Sequence, residues 1–481
     1  MTRLERRVSL TLAHVFGLRM LGFFIVLPVL AEHARLLPGG QSGLLVGLAM
    51  GAAGLAQALL QIPLGWASDR FGRRSVIALG LCCVLAGSLV CAFATDLPSL
   101  IAGRILQGCG AVSAAISALI ADHTRDSQRT KAMAMVGIGI GLSFTLSLAL
   151  APWLYAHAAM AGIFLLTAFL ALVSIGLVAS VPAGDVGVLP AGGSSRVPAG
   201  DVGVLTRSST ALPALAGSSF WSSLRTVGRD ARLWRLDLGI FVLNAVQMAM
   251  FVVVPGFIVR SSGLALAEHW RLYLPVVLLS FLLALPMLRR AELRGELGKL
   301  MRAAVWVLLA VQVGWLVLMM GGGSVAPGMA EGAVAAGSGL SGGALAEVPA
   351  ASGSVMEFSV QDWIMVSAAV ILLVFFVGFN VLEAALPAQV SRVAAGAQRG
   401  TAMGVFNTAQ SLGLFVGGAV GGVLGGGVLG ARLHAAGVFL FCAALLMALI
   451  LAIGRQGFSS DSYQAPSATA PAQGPGVAGS T

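Results

Sequence analysis

Glycine, aspartate and arginine residues are concentrated in one short stretch, Gly65 to Arg74. The candidate site residues in it are Gly65, Asp69, Arg70, Gly72, Arg73 and Arg74. Residues 43–68 and 75–95 on either side contain no Asp, Glu, Lys or Arg. Gly72 permits a turn that residues with a Cβ avoid. Asp69 is predicted to accept hydrogen bonds from the N-terminus of another helix, where the helix dipole favours an anion.

Two arginines lie inside apolar segments, Arg19 and Arg104. A guanidinium in a hydrocarbon environment is costly and points to a cavity or a partner. Because arginine keeps its proton, we expect each to tune a nearby carboxylate or to position water, as part of a proton-coupling relay. A purely structural buried pair stays open for either residue.

Carboxylates inside apolar segments are few, and Glu383 and Asp237 are the two that we assign to proton coupling. Coupling needs a buried carboxylate that titrates near the working pH. Glu383 is the better placed of the two. Membership of a charged cluster around Asp69 and Arg73 is an equally open interpretation of Glu383.

Several uncharged polar side chains, with one methionine, interrupt the apolar segments and suit a mostly apolar pocket with a few polar groups. The candidates for the lining of a substrate cavity are Gln57, Gln107, Asn244, Gln247, Met248, Asn380, Asn407 and Gln410. Hydrogen bonding between helices is the alternative for each of them.

The composition places these residues in a membrane. Of the 481 residues 58% are hydrophobic and only 10% are charged, whereas globular proteins have about 25% charged residues. The formal charge of +10 comes from arginines in short loops, which act as topology signals rather than as a nucleic-acid surface. No phosphate-binding G-x-x-x-x-G-K-[ST] loop, metal-ligand spacing or nucleophile constellation occurs. We therefore expect neither an enzyme nor a cofactor.

Runs of about 20 apolar residues, the length needed to cross a membrane, recur twelve times. They predict an all-α fold with an N-terminal six-helix bundle (1–181) and a C-terminal one (235–454). Most of the 29 Lys and Arg residues fall in loops on the side of the N-terminus. This asymmetry predicts that both termini are cytoplasmic.

Three segments have no apolar periodicity. Residues 182–234 contain the duplicated sequence Val-Pro-Ala-Gly-Asp-Val-Gly-Val-Leu and are predicted to form a low-complexity cytoplasmic linker. Residues 321–361 are predicted to be an extracytoplasmic insertion. Residues 455–481 are predicted to be a disordered cytoplasmic tail.

Two motifs narrow the family. Residues 65–74 match G-x-x-x-D-R-x-G-R-R, and Arg104 to Gly108 match R-x-x-Q-G. Both resemble signatures of the major facilitator superfamily, and further stretches such as 18–22 and 400–405 resemble its drug-efflux-like branch. The resemblance implies twelve transmembrane helices in two pseudo-symmetric bundles. It also implies that Asp69 latches onto the start of the eleventh helix near residue 400, and that Arg73 holds Asp122.

The resemblance further implies a secondary transporter that alternates between inward-open and outward-open states. We expect a monomeric, proton-coupled antiporter in the bacterial inner membrane that exports small amphipathic molecules or drugs. Its partners would be the small-molecule substrate, protons and the lipid bilayer. A nutrient or metabolite symporter of the same fold, and a non-transporting membrane sensor or scaffold, are the alternatives.

Overall fold

The structure is a computed structural model that describes residues 1–181, 220–262, 268–321, 360–394, 399–425, 431–454 and 458. These residues form helices joined by short connections, with no strand among them. The helices are α1 (Arg3–Phe24), α2 (Leu27–Leu36), α3 (Gly43–Phe71), α4 (Arg73–Ala92), α5 (Leu97–Gly108), α6 (Ser113–Asp122), α7 (Asp126–Ser180), α8 (Phe220–Arg229), α9 (Ala231–Ser262), α10 (Trp270–Leu293), α11 (Leu297–Gly321), α12 (Val360–Val393), α13 (Arg399–Gly425) and α14 (Ala431–Ile453).

Eleven helical segments in the described residues are long and apolar enough to cross a membrane. One of them, Met135–Ser180, has 46 residues, or about 69 Å of helix, against a hydrocarbon core of about 30 Å. The helix breaks within this segment at Ala159, whose φ is 53°. It therefore contains two crossings, and the all-α architecture with twelve spans agrees with the sequence prediction.

The helix ends lie on two faces of the bundle. On the face that carries the N-terminus, Arg125 pairs with Glu5 at 2.9 Å and Arg392 pairs with Glu292. On the opposite face the Leu97 amide donates to the Pro38 carbonyl at 3.3 Å. We call these the N-terminal face and the opposite face.

The two halves of the chain pack together through glycines of α3 and α13. A Cβ built on Gly51 would lie 2.7 Å from the Phe415 carbonyl oxygen, and one on Gly54 would lie 2.7 Å from the Ser411 carbonyl oxygen. A Cβ on Gly418 would lie 2.8 Å from the Gly51 nitrogen. The backbones are therefore in direct contact along these turns, as small residues allow between membrane helices.

Phenylalanine rings form a second bridge between the halves. Phe24 of α1 packs on Phe144 of α7 with ring centroids 5.1 Å apart. Phe144 in turn contacts Phe376 at 5.8 Å and Phe379 at 5.9 Å, both on α12. These four rings are the aromatic bridge.

The predicted boundaries outside the bundles fall largely outside the described residues. This applies to most of the linker 182–234, the insertion 321–361 and the tail 455–481. Within the linker range the structure describes α8 and the first turn of α9.

Candidate functional site

The loop of the first motif is a turn centred on Gly72. Gly72 ends α3 and precedes α4 with φ 92°, a conformation that disfavours a Cβ. Arg73 Nε lies 2.5 Å from Asp122 Oδ2. Arg74 Nη2 donates to the Ala179 carbonyl at 2.7 Å, and the guanidinium of Arg70 lies over the Trp66 ring at 5.6 Å. The turn thus ties α4 to the ends of α6 and α7.

The sequence predicts that Asp69 contacts the start of the eleventh helix. The backbone of Asp69 lies in α3, but its side chain is outside the described part of the structure. Among the described residues, a Cβ on Gly65 would reach only Ala114 at 4.0 Å, and a Cβ on Gly404 would meet none within 4 Å. The close packing between α3 and α13 therefore does not extend to these glycines, and the Asp69 contact stays a prediction.

Substitution of Gly72 by alanine is expected to destabilise the loop by about 1–3 kcal/mol, because alanine would be held at a positive φ. Gly65→Ala is the matched control, since its new methyl group would have room. Thermal unfolding of the purified variants in detergent measures the difference. Equal unfolding temperatures for the two variants would contradict this reason for Gly72.

Glu383 lies inside the C-terminal half, about 15 Å along α12 from its end at Val393. Gln410 Nε2 of α13 donates to Glu383 Oε1 at 2.9 Å, and the Asn244 amide of α9 also interacts with this carboxylate. The second carboxylate oxygen, Oε2, is buried and has no hydrogen-bond partner among the described residues. Glu383 thus faces two uncharged amides and is not brought to the Arg73–Asp122 pair.

Asp237, the second candidate carboxylate, lies nearer the N-terminal face in the second turn of α9. Its Oδ1 atom is buried and has no hydrogen-bond partner within the described ranges. Asn244 is two turns further along the same helix. The structure thus spaces the two candidate carboxylates at different depths.

Arg19 is buried and surrounded by uncharged acceptors. Its Nε donates to the Gly110 carbonyl at 3.2 Å, Nη1 to Ser113 Oγ at 3.2 Å and Nη2 to Gln57 Oε1 at 3.3 Å. Gly110 lies in the break between α5 and α6, and Ser113 is the first residue of α6. The guanidinium therefore satisfies backbone and side-chain oxygens where the fourth membrane crossing is interrupted.

Arg104 is the second buried guanidinium, with 1% of the residue exposed. Nε donates to the Ala49 carbonyl at 3.3 Å and Nη1 to Gln107 Oε1 at 2.8 Å. Gln107 Nε2 continues the chain to Ser88 Oγ at 2.8 Å. Nη2 has no hydrogen-bond partner in the part of the chain that the structure describes. Its guanidinium carbon lies 5.7 Å from the centroid of the Phe23 ring.

The remaining candidates for the cavity lining are distributed over the C-terminal half. Asn380 Nδ2 donates to Ser280 Oγ at 3.0 Å, which joins α12 to α10. Gln247 and Met248 are buried on α9, and Asn407 is half-buried on α13. Asn380 therefore makes the kind of interhelical bond that the sequence left open as the alternative.

Sequence reasoning missed three features of this site. Ser113 and Ser88 complete the polar contacts of the two arginines, and the aromatic bridge joins the halves beside Phe23. Serine and phenylalanine are common in membrane helices. The break between α5 and α6 could have been predicted from the glycines of the R-x-x-Q-G region and the serine that follows them, Ser113.

The fold and these contacts define a class of protein: a multi-pass membrane protein of two six-helix halves, each with buried polar groups, which is the architecture of secondary transporters. Residues 9–361 match the family model described as "Major Facilitator Superfamily". The chain belongs to this superfamily, and its homologues and fold are those of transporters rather than enzymes.

Relatives and solved structures agree with this assignment. The chain is 33% identical to "Inner membrane transport protein YajR" of Escherichia coli strain K12 over 88% of this chain and 78% of that protein. A shorter match, 41% identical over 18% of this chain and 21% of the other, is to "Tetracycline resistance protein, class B" of Escherichia coli. The "D-xylose-proton symporter" structure has a TM-score of 0.62 at 14% identity, covering 92% of this chain and 96% of that one. At this identity the structural likeness describes the fold alone.

Proposed function

We propose that this transporter is a proton-coupled antiporter that exports small amphipathic molecules by alternating access from the bacterial inner membrane. The observation that carries the proposal is the Glu383 carboxylate. It lies inside the C-terminal half, held by Gln410 at 2.9 Å, and one of its oxygens is buried with no partner among the described residues. Protonation of Glu383 would neutralise its buried carboxylate. Loss of that proton would leave a charged carboxylate that the Gln410 and Asn244 amides stabilise by hydrogen bonding.

The packing of the halves supports alternating access. The α3–α13 glycine contacts and the aromatic bridge hold the halves together, while a Cβ on Gly65 or Gly404 would have no contact closer than 4.0 Å among the described residues. If the N-terminal face is cytoplasmic, this is an arrangement closed towards the outside. Opening towards the outside would require the α3–α13 glycine contacts and the aromatic bridge to separate. The motif loop, with Asp69, would then contact the start of α13.

The name of one relative adds support for export. The tetracycline resistance protein matches part of this chain, and resistance is the outcome expected of an exporter. The xylose–proton symporter, in contrast, shares only the fold. Export is therefore favoured over uptake.

The test is proton movement in inverted membrane vesicles that contain the full chain. A vesicle acidified by respiration should lose protons when an exported substrate is added, and an internal pH-sensitive dye should report the change. The panel should contain aromatic and aliphatic compounds with matched cationic, neutral and anionic forms. Vesicles without the protein are the control.

Each outcome separates one alternative. Proton release triggered by a compound supports antiport. Substrate accumulation together with protons in right-side-out vesicles would instead indicate the symporter. Binding of compounds with no flux of compound or proton in either orientation would indicate the sensor and would overturn the proposal.

A further inference from the structure

We infer that Arg104 forms an anion-binding subsite next to the aromatic bridge, so that the substrate is an amphipathic organic anion. That the bound anion is a transported substrate rests on the proposed function. The charges buried in this part of the protein are not balanced. The guanidinium groups of Arg104 and Arg19 are both buried, and no carboxylate of the described residues forms an ion pair with either of them.

Uncharged oxygens satisfy hydrogen bonds but do not neutralise a buried charge. Burial of an uncompensated ion is costly, and in membrane segments such ions mark substrate or ion pathways. Arginine cannot relieve the cost by losing its proton. The site therefore favours any ligand that brings a negative charge and disfavours one that brings a positive charge.

Arg104 retains donor capacity for such a ligand. A guanidinium has five N–H donors, and only Nε and Nη1 of Arg104 have acceptors. The buried Nη2 atom has none among the described residues. Planar guanidinium groups bind carboxylate, sulfonate and phosphate oxygens with paired hydrogen bonds, and these are the anionic groups that we assign to the subsite.

The neighbouring surface suits an apolar or aromatic body. Phe23 lies against the Arg104 guanidinium and contacts Phe24 with ring centroids 5.6 Å apart. Phe24 begins the aromatic bridge, whose Phe376 and Phe379 come from the other half. Phe376 and Phe379 are at most 5% exposed in this state. A molecule with its anionic head on Arg104 would therefore lie against Phe23 and Phe24 and would reach the rings of the other half when the halves separate.

The experiment measures binding to the full chain in detergent, by calorimetry, with three probes of nearly equal shape. The probes are 2-naphthoate, 2-naphthamide and 2-naphthylmethylamine, which are anionic, neutral and cationic at pH 7. We expect naphthoate to bind at least about 10-fold more tightly than the amide, and the amine to bind most weakly. The preference for naphthoate over naphthamide should stay constant between pH 6 and 9, because arginine keeps its charge over that range.

Variants assign the preference to the subsite. Arg104→Gln should remove the difference between naphthoate and naphthamide, whereas Arg104→Lys should keep part of it because the charge remains. Arg290→Gln, which removes an exposed cation at the end of α10, should leave it unchanged. If Arg104→Gln does not fold, the lysine variant and the pH profile still test the inference.

Equal affinity for the three probes, tighter binding of the amine, or no binding of naphthoate by the wild type would overturn the anion subsite. So would an equal loss of affinity for all three probes in Arg104→Gln. These binding measurements need no proton gradient. Anion binding without proton flux would therefore support the subsite and reject antiport. Proton release by neutral or cationic compounds alone would support antiport and reject the subsite.

Discussion

Replacement of Glu383 by glutamine is expected to lower substrate-triggered proton release in inverted vesicles by about 100-fold or more, the range that loss of a positioned proton carrier produces. Glutamine keeps the size of the side chain and an oxygen that can accept from Gln410, which donates to Glu383 at 2.9 Å. It cannot bind and release a proton. Substrate binding measured in detergent should therefore survive while proton movement is lost.

The control for Glu383→Gln is Glu292→Gln. Glu292 is an exposed carboxylate on the N-terminal face and is paired with Arg392. Its loss should leave proton release near the wild-type level. Normal proton release by Glu383→Gln would show that Glu383 has a structural role, in which it joins α12 to α13. In that case Asp237, with its own buried oxygen, becomes the carboxylate to test.

Substitution of Gly418 by valine is expected to shift the conformational equilibrium away from the state described here. A Cβ at Gly418 would lie 2.8 Å from the nitrogen of Gly51 and 3.1 Å from the carbonyl oxygen of Gly47, both on α3 in the other half. Overpacking of this kind costs about 1–3 kcal/mol, which corresponds to a change of about 5- to 150-fold in the ratio of two states. Spin labels at Gln41 and Trp270, in a background without the native cysteines, should report longer distances across the opposite face.

Gly417→Val is the matched variant, one residue away. A Cβ at Gly417 would collide with the backbone of Ala245 on α9, which belongs to the same half. We therefore expect Gly417→Val to lower the thermal unfolding temperature with little change in the label distance of the protein that remains folded. The same response from both variants would show that the α3–α13 contact is part of one rigid core rather than an interface that opens.

The sequence by itself determined the membrane architecture and the local geometry of the motif loop. In lipid every backbone polar group must form its hydrogen bond within its own segment. A run of about 20 apolar residues therefore forms a helix wherever it occurs in this chain. Gly72 has φ 92° because a short loop between two helices leaves the backbone little freedom. The Arg73–Asp122 pair was implied only by the family resemblance, since it joins two helices that are far apart in the chain.

Only the tertiary structure decided which buried polar residues are neighbours. Glu383 was equally consistent with the rim cluster and with the interior, and its partners Gln410 and Asn244 come from two other helices. Arg19 and Arg104 were expected to tune a nearby carboxylate or to position water, and the described contacts of both are with uncharged oxygens. A membrane helix is apolar on every face, so hydropathy does not show which face turns inward. That choice, and the depth at which side chains from different helices meet, depends on packing between helices far apart in the chain.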